Sequence, residues 1–289
     1  MSNLKKVILF LAFAVLFFNS SLYSQSEKKK VYLSFIAHGN MNYDRYVRPK
    51  IWENFPVIYD SLLYFLDEHP DFKGQMQLSG QTFLSIKQTA PYMLDHAFDL
   101  REKGQLNFTG TFYSEPVNIN MDGETNYRCA RLGTKIIEDA VGKTDGFYLQ
   151  ERAYHAQLPW ILKKSNVSWV PVVTGDNSAF PFKLLGMDGT EFVCVPYVRK
   201  RPITERIEEA ENNSLIVIEN DFEIPQTFTN PYNQVKEYLK KNPDVEAEWI
   251  LVEDYIDRFG LKEERYIDHT AISDDIEDGT YSRWTADPL

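Results

Sequence analysis

Cysteine is scarce in this chain, and so is positive charge. Two thiols, Cys129 and Cys194, cannot make a zinc site by themselves. An exported protein is able to pair them. Cys194 sits in the strand-like run Phe192-Val193-Cys194-Val195, so two free buried thiols are an equal alternative. The formal net charge is −11. That excludes nucleic acid as an expected partner, because phosphates need a patch of Lys and Arg. Lys28-Lys29-Lys30 and Arg199-Lys200-Arg201 are short and isolated. No Gly-rich phosphate turn follows the first strand-like run, which argues against an open nucleotide-binding sheet. No G-x-S-x-G elbow supports a serine hydrolase. The five histidines, at 38, 69, 96, 155 and 269, contain no His-x-x-x-His pair.

Long apolar runs are also missing, with one exception at the N-terminus. Lys5 and Lys6 precede an apolar stretch over 7–18, too short to span a bilayer comfortably. Ser20-Ser21-Leu22-Tyr23-Ser24-Gln25 then offers small residues for cleavage. The pattern predicts a signal peptide over 1–24 and an exported mature protein, periplasmic or extracellular. An uncleaved anchor is the alternative. No Cys follows the run to carry a lipid, and no membrane span is expected after cleavage.

Aromatic residues are plentiful: 17 Tyr, 19 Phe and 5 Trp. They fill a large core or stack on sugar rings. Strand-like runs at 31–37, 75–79, 106–111, 147–150, 169–173, 215–219 and 249–252 alternate with helix-like stretches. These stretches cover 51–68, 82–103 (interrupted by Pro91), 126–140, 158–165, 232–241 and 255–259. Such alternation predicts an α/β fold with a parallel sheet. The favoured closure is a seven-stranded, TIM-barrel-like (β/α)7 barrel over 31–289; an open doubly wound sheet is the runner-up. Between 183 and 198, Met187-Asp188-Gly189-Thr190 separates two apolar runs and reads as a β-hairpin insertion.

In a barrel, residues just after the strands converge on one face. Here these are His38, Tyr113 with Glu115, Glu151 with Arg152, and Asp221 with Glu223. Glu151 and Asp221 form the sharp pair: two carboxylates flanking a sugar divide the work of glycosidic cleavage. Arg152 would help keep Glu151 ionised. The alternative for Glu151-Arg152 is an ordinary surface ion pair. Glu219 or Glu223 would raise the Asp221 pKa by repulsion. His38 suits a sugar-hydroxyl contact or a satisfied structural histidine.

These residues lie in runs that resemble glycoside hydrolase family 57. Tyr148-Leu149-Gln150-Glu151-Arg152-Ala153-Tyr154 is similar to the block carrying that family's nucleophile, and Asn220-Asp221-Phe222-Glu223 to the block carrying its acid/base. Thr109-Gly110-Thr111-Phe112-Tyr113-Ser114-Glu115-Pro116 is close to a third block, with one extra residue before the Glu. The first block keeps only His38, in Ala37-His38-Gly39-Asn40-Met41. The last, Tyr281-Ser282-Arg283-Trp284, has Arg where an acid is common.

The resemblance implies a seven-stranded barrel and a retaining glycosidase or 4-α-glucanotransferase acting on an α-glucan-like oligo- or polysaccharide. Glu151 would be the nucleophile and Asp221 the acid/base. His38, Tyr113, Glu115, Arg152, Glu223 and Trp284 would shape the sugar site. No metal or organic cofactor is expected. The family's C-terminal helical domain is expected to be absent or truncated. The altered first and last blocks motivate the rival reading, a catalytically decayed carbohydrate-binding barrel. A polysaccharide deacetylase would need metal ligands that the histidine spacing does not supply.

Overall fold

A computed structural model describes residues 28–39, 50–114, 116–174, 179–198, 201–221 and 229–270. The expected leader, 1–24, lies outside them. Among the described residues, no helix is long and apolar enough to cross a membrane.

The elements run β1 (Lys29–Gly39), α1 (Lys50–Glu68), β2 (Gly74–Leu78), α2 (Gly80–Thr89), α3 (Pro91–Glu102), β3 (Leu106–Phe108), α4 (Gly123–Val141) and β4 (Tyr154–His155). There follow α5 (Leu158–Lys164), β5 (Trp169–Val173), β6 (Phe182–Leu185), β7 (Glu191–Tyr197), α6 (Ile203–Glu209) and β8 (Leu215–Asp221). The last are α7 (Thr229–Lys241), β9 (Val245–Trp249), α8 (Val252–Phe259), β10 (Glu264–Tyr266) and β11 (His269–Thr270).

The central strand, β1, is buried from Val31 to Gly39. Its alternation divides two cores. Val31, Leu33, Phe35 and Ala37 join helix side chains in an outer core, while Tyr32 and Ile36 join an inner one. Strands covered on both faces read as near-continuous apolar runs, which is why this segment is legible without a helix period. The buried polar residues on the same inner face are satisfied across the sheet. Ser34 Oγ donates to Gln75 Oε1 (2.9 Å), and Gln77 Nε2 donates to Thr111 Oγ1 (3.0 Å).

The first sheet is parallel in the order β3-β2-β1-β8, with β9 also on β1. Single parallel bridges, Gly110↔Phe147 and Gly146↔Trp169, carry the arc from the third strand through the fourth segment to β5. Gly146 is required there, since a Cβ would stand 2.3 Å from the Trp169 indole. Beyond β5, the second sheet runs β5-β7-β6-β10. The expected hairpin is present: β6 and β7 are antiparallel, and Gly189 takes φ 79° in the turn. Among the described residues, β7 lies beside β8 without a ladder joining them.

Helices pack outside this arc. Pro91 breaks the 82–103 stretch as expected, and Ala90 takes a non-helical φ −146°, ψ 57° between α2 and α3. Helix α4 starts at Asp122, whose side chain accepts from Thr125 N (2.9 Å). It presses so closely on the third-strand extension that a Cβ at Gly133 would lie 2.3 Å from Thr111 O.

Some boundaries differ from the sequence reading. The seventh strand is β9, Val245–Trp249, rather than 249–252. Val252 opens a helix, with Glu253 and Asp254 in its first turn, where acids favour the positive end of the helix dipole. The fourth strand-like run ends early because Gln150–Arg152 coils into a 3-10 turn. The third is strand only over Leu106–Phe108.

Candidate active site

The fourth segment delivers its side chains through a strained turn. Glu151 has φ 52° and Arg152 φ 51°, the left-handed region that non-glycine residues avoid. Each such residue costs roughly 1–2 kcal/mol. The turn is held by Arg152 N donating to Leu149 O and Ala153 N to Gln150 O, both at 3.0 Å. Asn118 Nδ2 fastens Ala153 O from outside (2.6 Å). Strain of this kind persists where surrounding structure over-determines it, and it clusters at functional sites.

Arg152 is the anchor, 1% exposed. Its guanidinium pairs with the Glu219 carboxylate of β8. It also lies over two aromatic rings, Tyr148 at 4.0 Å and Tyr197 at 5.2 Å. The Tyr148 hydroxyl donates to the same carboxylate. The Tyr148 ring in turn stacks on His38, with centroids 4.5 Å apart and planes 8° from parallel. His38 Nδ1 donates to Gln77 Oε1. Thr111, Gln77, His38, Tyr148, Glu219 and Arg152 therefore form one connected polar cluster at the C-terminal ends of adjacent strands, where this kind of fold carries chemistry.

The structure brings His38 and Arg152 together in this cluster and places half-buried Glu151 in its turn. Asp221 is the last residue of β8 and the ladder partner of His38; its side chain is not among those described. Tyr113 is fixed through its backbone. Its backbone N donates to Cys129 O of α4 (3.0 Å), and its O accepts from Gln81 N of α2 (3.1 Å). Glu115, Glu223 and Trp284 lie outside the described residues. The Arg152 guanidinium is paired with Glu219, which ties the turn to β8.

Tyr148 and Gln77 are components of the cluster that the sequence reading did not assign, and Glu219, expected only as a neighbour acting on Asp221, is instead the partner of Arg152 and Tyr148. The signal for Glu219 was an acid two places before Asp221, on the same face of an otherwise apolar strand. For Gln77 it was the alternation Gln75-Met76-Gln77 within a buried strand. Cys194 is buried, Cys129 is half-buried, and both are free thiols, which settles their open pairing. Among the described residues, no group of three or more His, Cys, Asp or Glu is placed to hold a metal ion.

Comparison with known proteins bears on the family and the fold. A sequence profile of glycosyl hydrolase family 57 matches residues 15–269. Alpha-amylase 1 of Dictyoglomus thermophilum is 28% identical over 149 residues, which is 50% of this chain and 21% of the amylase. The 4-alpha-glucanotransferase of Thermococcus litoralis superposes with a TM-score of 0.67 at 18% identity, over 83% of this chain and 40% of that one. A GH57-type branching enzyme from Pyrococcus horikoshii superposes at 0.60 with 10% identity, over 86% and 73%. At such identities the superpositions establish the fold. The chain spans well under half the length of the amylase and the glucanotransferase.

Proposed function

The chain belongs to glycosyl hydrolase family 57, and from that membership we propose that it is an exported, retaining glycoside hydrolase or glycanotransferase acting on an α-glucan-like chain. On this reading the parallel arc is the family's seven-stranded barrel. Glu151 attacks the anomeric carbon while Asp221 protonates the departing glycosidic oxygen. The glycosyl-enzyme is then opened by water or by a sugar hydroxyl, with Asp221 taking the proton.

The observation that carries the reading is the left-handed Glu151-Arg152 turn, locked from behind by the buried Arg152–Glu219 pair. A fixed carboxylate at a strand end is what nucleophilic attack requires. His38, held by its Nδ1 contact with Gln77 and its stack on Tyr148, contributes to the sugar site in this proposal. Tyr113, Glu115, Glu223 and Trp284 complete the sugar-contacting shell in this proposal.

The test is turnover on a panel of α-glucans, with anomeric configuration followed by NMR. Wild type is expected to release or transfer product with retained configuration, and Glu151→Gln and Asp221→Asn to fall to background. Turnover untouched by Glu151→Gln would sink the assignment. The degenerate first block around His38 favours one rival, a carbohydrate-binding barrel without catalysis; saturable glucan binding by a wild type that turns nothing over would establish it. A glycan-bound crystal structure should hold the two carboxyl groups about 5–5.5 Å apart. Export is tested by N-terminal sequencing of the secreted protein, expected to begin near residue 25.

A further inference from the structure

The parallel arc has a seam. Between β7 and β8 no ladder forms among the described residues, and Leu215 N donates instead to Ala179 O (2.7 Å), in the chain leading into β6. Beside this seam lies a cavity of about 520 Å³. Its walls come from the approach to β6, the end of β7, α6, the start of β8 and the chain entering β10. None of the lining residues belongs to the cluster around Arg152 and His38. The volume falls within the roughly 300–1,000 Å³ usual for small-molecule sites.

Cations gather there. Arg201, Arg206, Lys262 and Arg265 all line the cavity. Two are committed to neighbouring carboxylates: Arg201 Nη1 donates to Glu209 (2.8 Å), and Arg265 Nε donates to Glu263 (2.6 Å). The other two are not. Among the described residues, the Arg206 and Lys262 side chains make no hydrogen bond or ion pair. The Lys262 ammonium stands 4.5 Å over the Phe180 ring, at the cavity wall. Glu211, which is exposed, also lines the cavity, so among the described residues the unpaired charges there are two cations and one carboxylate.

Arg206 is the informative residue. It is half-buried on α6, and that burial, with Arg201 nearby, lowers its guanidinium to about 10. It therefore remains charged at neutral pH. A cation partly withdrawn from water, with its donors open to a cavity and no acceptor, is in a costly state that an oxyanion relieves. The guanidinium fork matches a carboxylate or phosphate with two parallel hydrogen bonds, and an ammonium adds a point charge beside it.

We propose that this cavity is a second ligand site, distinct from the glycan cleft, that takes a small organic oxyanion: a carboxylate or phosphate monoester on a body of monosaccharide size, gripped by Arg206 and assisted by Lys262. The site stands on the seam geometry and its charges, and does not depend on the catalytic assignment.

Titration calorimetry on the full chain tests it, using D-glucuronate, glucose 6-phosphate, inorganic phosphate and uncharged glucose as probes. Saturable binding of glucuronate, glucose 6-phosphate or both is expected, weakening as salt rises. Their relative affinities tell carboxylate from phosphate recognition. Arg206→Gln should weaken binding about tenfold or more, while Arg206→Lys keeps part of it. Phenylglyoxal labelling of the wild type, mapped by peptide mass spectrometry, gives a readout independent of variant folding: a bound anion should protect Arg206. No saturable heat from any charged probe up to about 10 mM, a range that captures millimolar affinities, would overturn the proposal. So would affinity unchanged in folded Arg206→Gln, or an Arg206 that every probe leaves unprotected.

Discussion

The buried pair Arg152–Glu219 makes a quantitative demand on stability. Arg152 is 1% exposed and the Glu219 side chain 8%, so neither charge has bulk water to fall back on. Removing one partner of a buried pair typically costs about 3–5 kcal/mol, because the other charge is left uncompensated. Glu219→Met leaves the Arg152 guanidinium buried without its carboxylate and should fall in that range. Arg152→Met also loses the cation–π contacts over Tyr148 and Tyr197, a further 0.5–2 kcal/mol or so. The double variant Arg152→Met/Glu219→Met strands no charge. Its main remaining deficit is the Tyr148 hydroxyl, which loses its acceptor at about 1–3 kcal/mol. The double change should therefore cost less than the sum of the singles by several kcal/mol. Urea denaturation with linear extrapolation measures each corner of the cycle. Costs that simply add, within about 0.5 kcal/mol, would refute the idea that the two charges hold each other. The same variants should lose turnover even where they remain folded, since the Glu151 turn loses its anchor.

Two further outcomes follow from the interior. Glu253 lies between Gln75 Nε2 (3.1 Å) and Asn107 Nδ2 (2.8 Å), and burial pushes its carboxyl up to about 7. A raised carboxyl binds its proton more tightly when folded, so its contribution is full below the unfolded value of about 4.3 and is lost as pH rises through about 7. Relative to Glu253→Gln, wild type should lose melting temperature from pH 5 to pH 8; a difference that stays flat with pH would contradict this. Glu151→Gly relieves one left-handed residue and should be as stable as wild type or up to about 1–2 kcal/mol more stable while inactive. Denaturant midpoints check it, and a marked loss of stability would show that the Glu151 side chain holds the turn.

Much of the architecture was legible in the chain itself. Doubly buried strands such as β1 and β5 show as apolar runs, Pro91 marks the break between α2 and α3, and Gly189 marks the hairpin turn. The run ending in Glu151-Arg152 stood out because charge is costly at the end of a buried strand. Less visible was the 249–252 region, where an apolar run serves a strand end and then a helix start; periodicity over so few residues does not separate the two.

What the sequence determined by itself is the alternation of strands and helices and the family's block around Glu151, because period and local turn chemistry are written residue by residue. Tertiary structure alone decided which groups meet. Tyr148 and Glu219 are 71 residues apart, and nothing in either neighbourhood names the other. The parallel register of β1 and β8 sets His38 beside Asp221, and the two successive left-handed residues carry Arg152 inward to the carboxylate. Strand order and register arise from packing the whole sheet, a collective choice that a linear pattern does not encode.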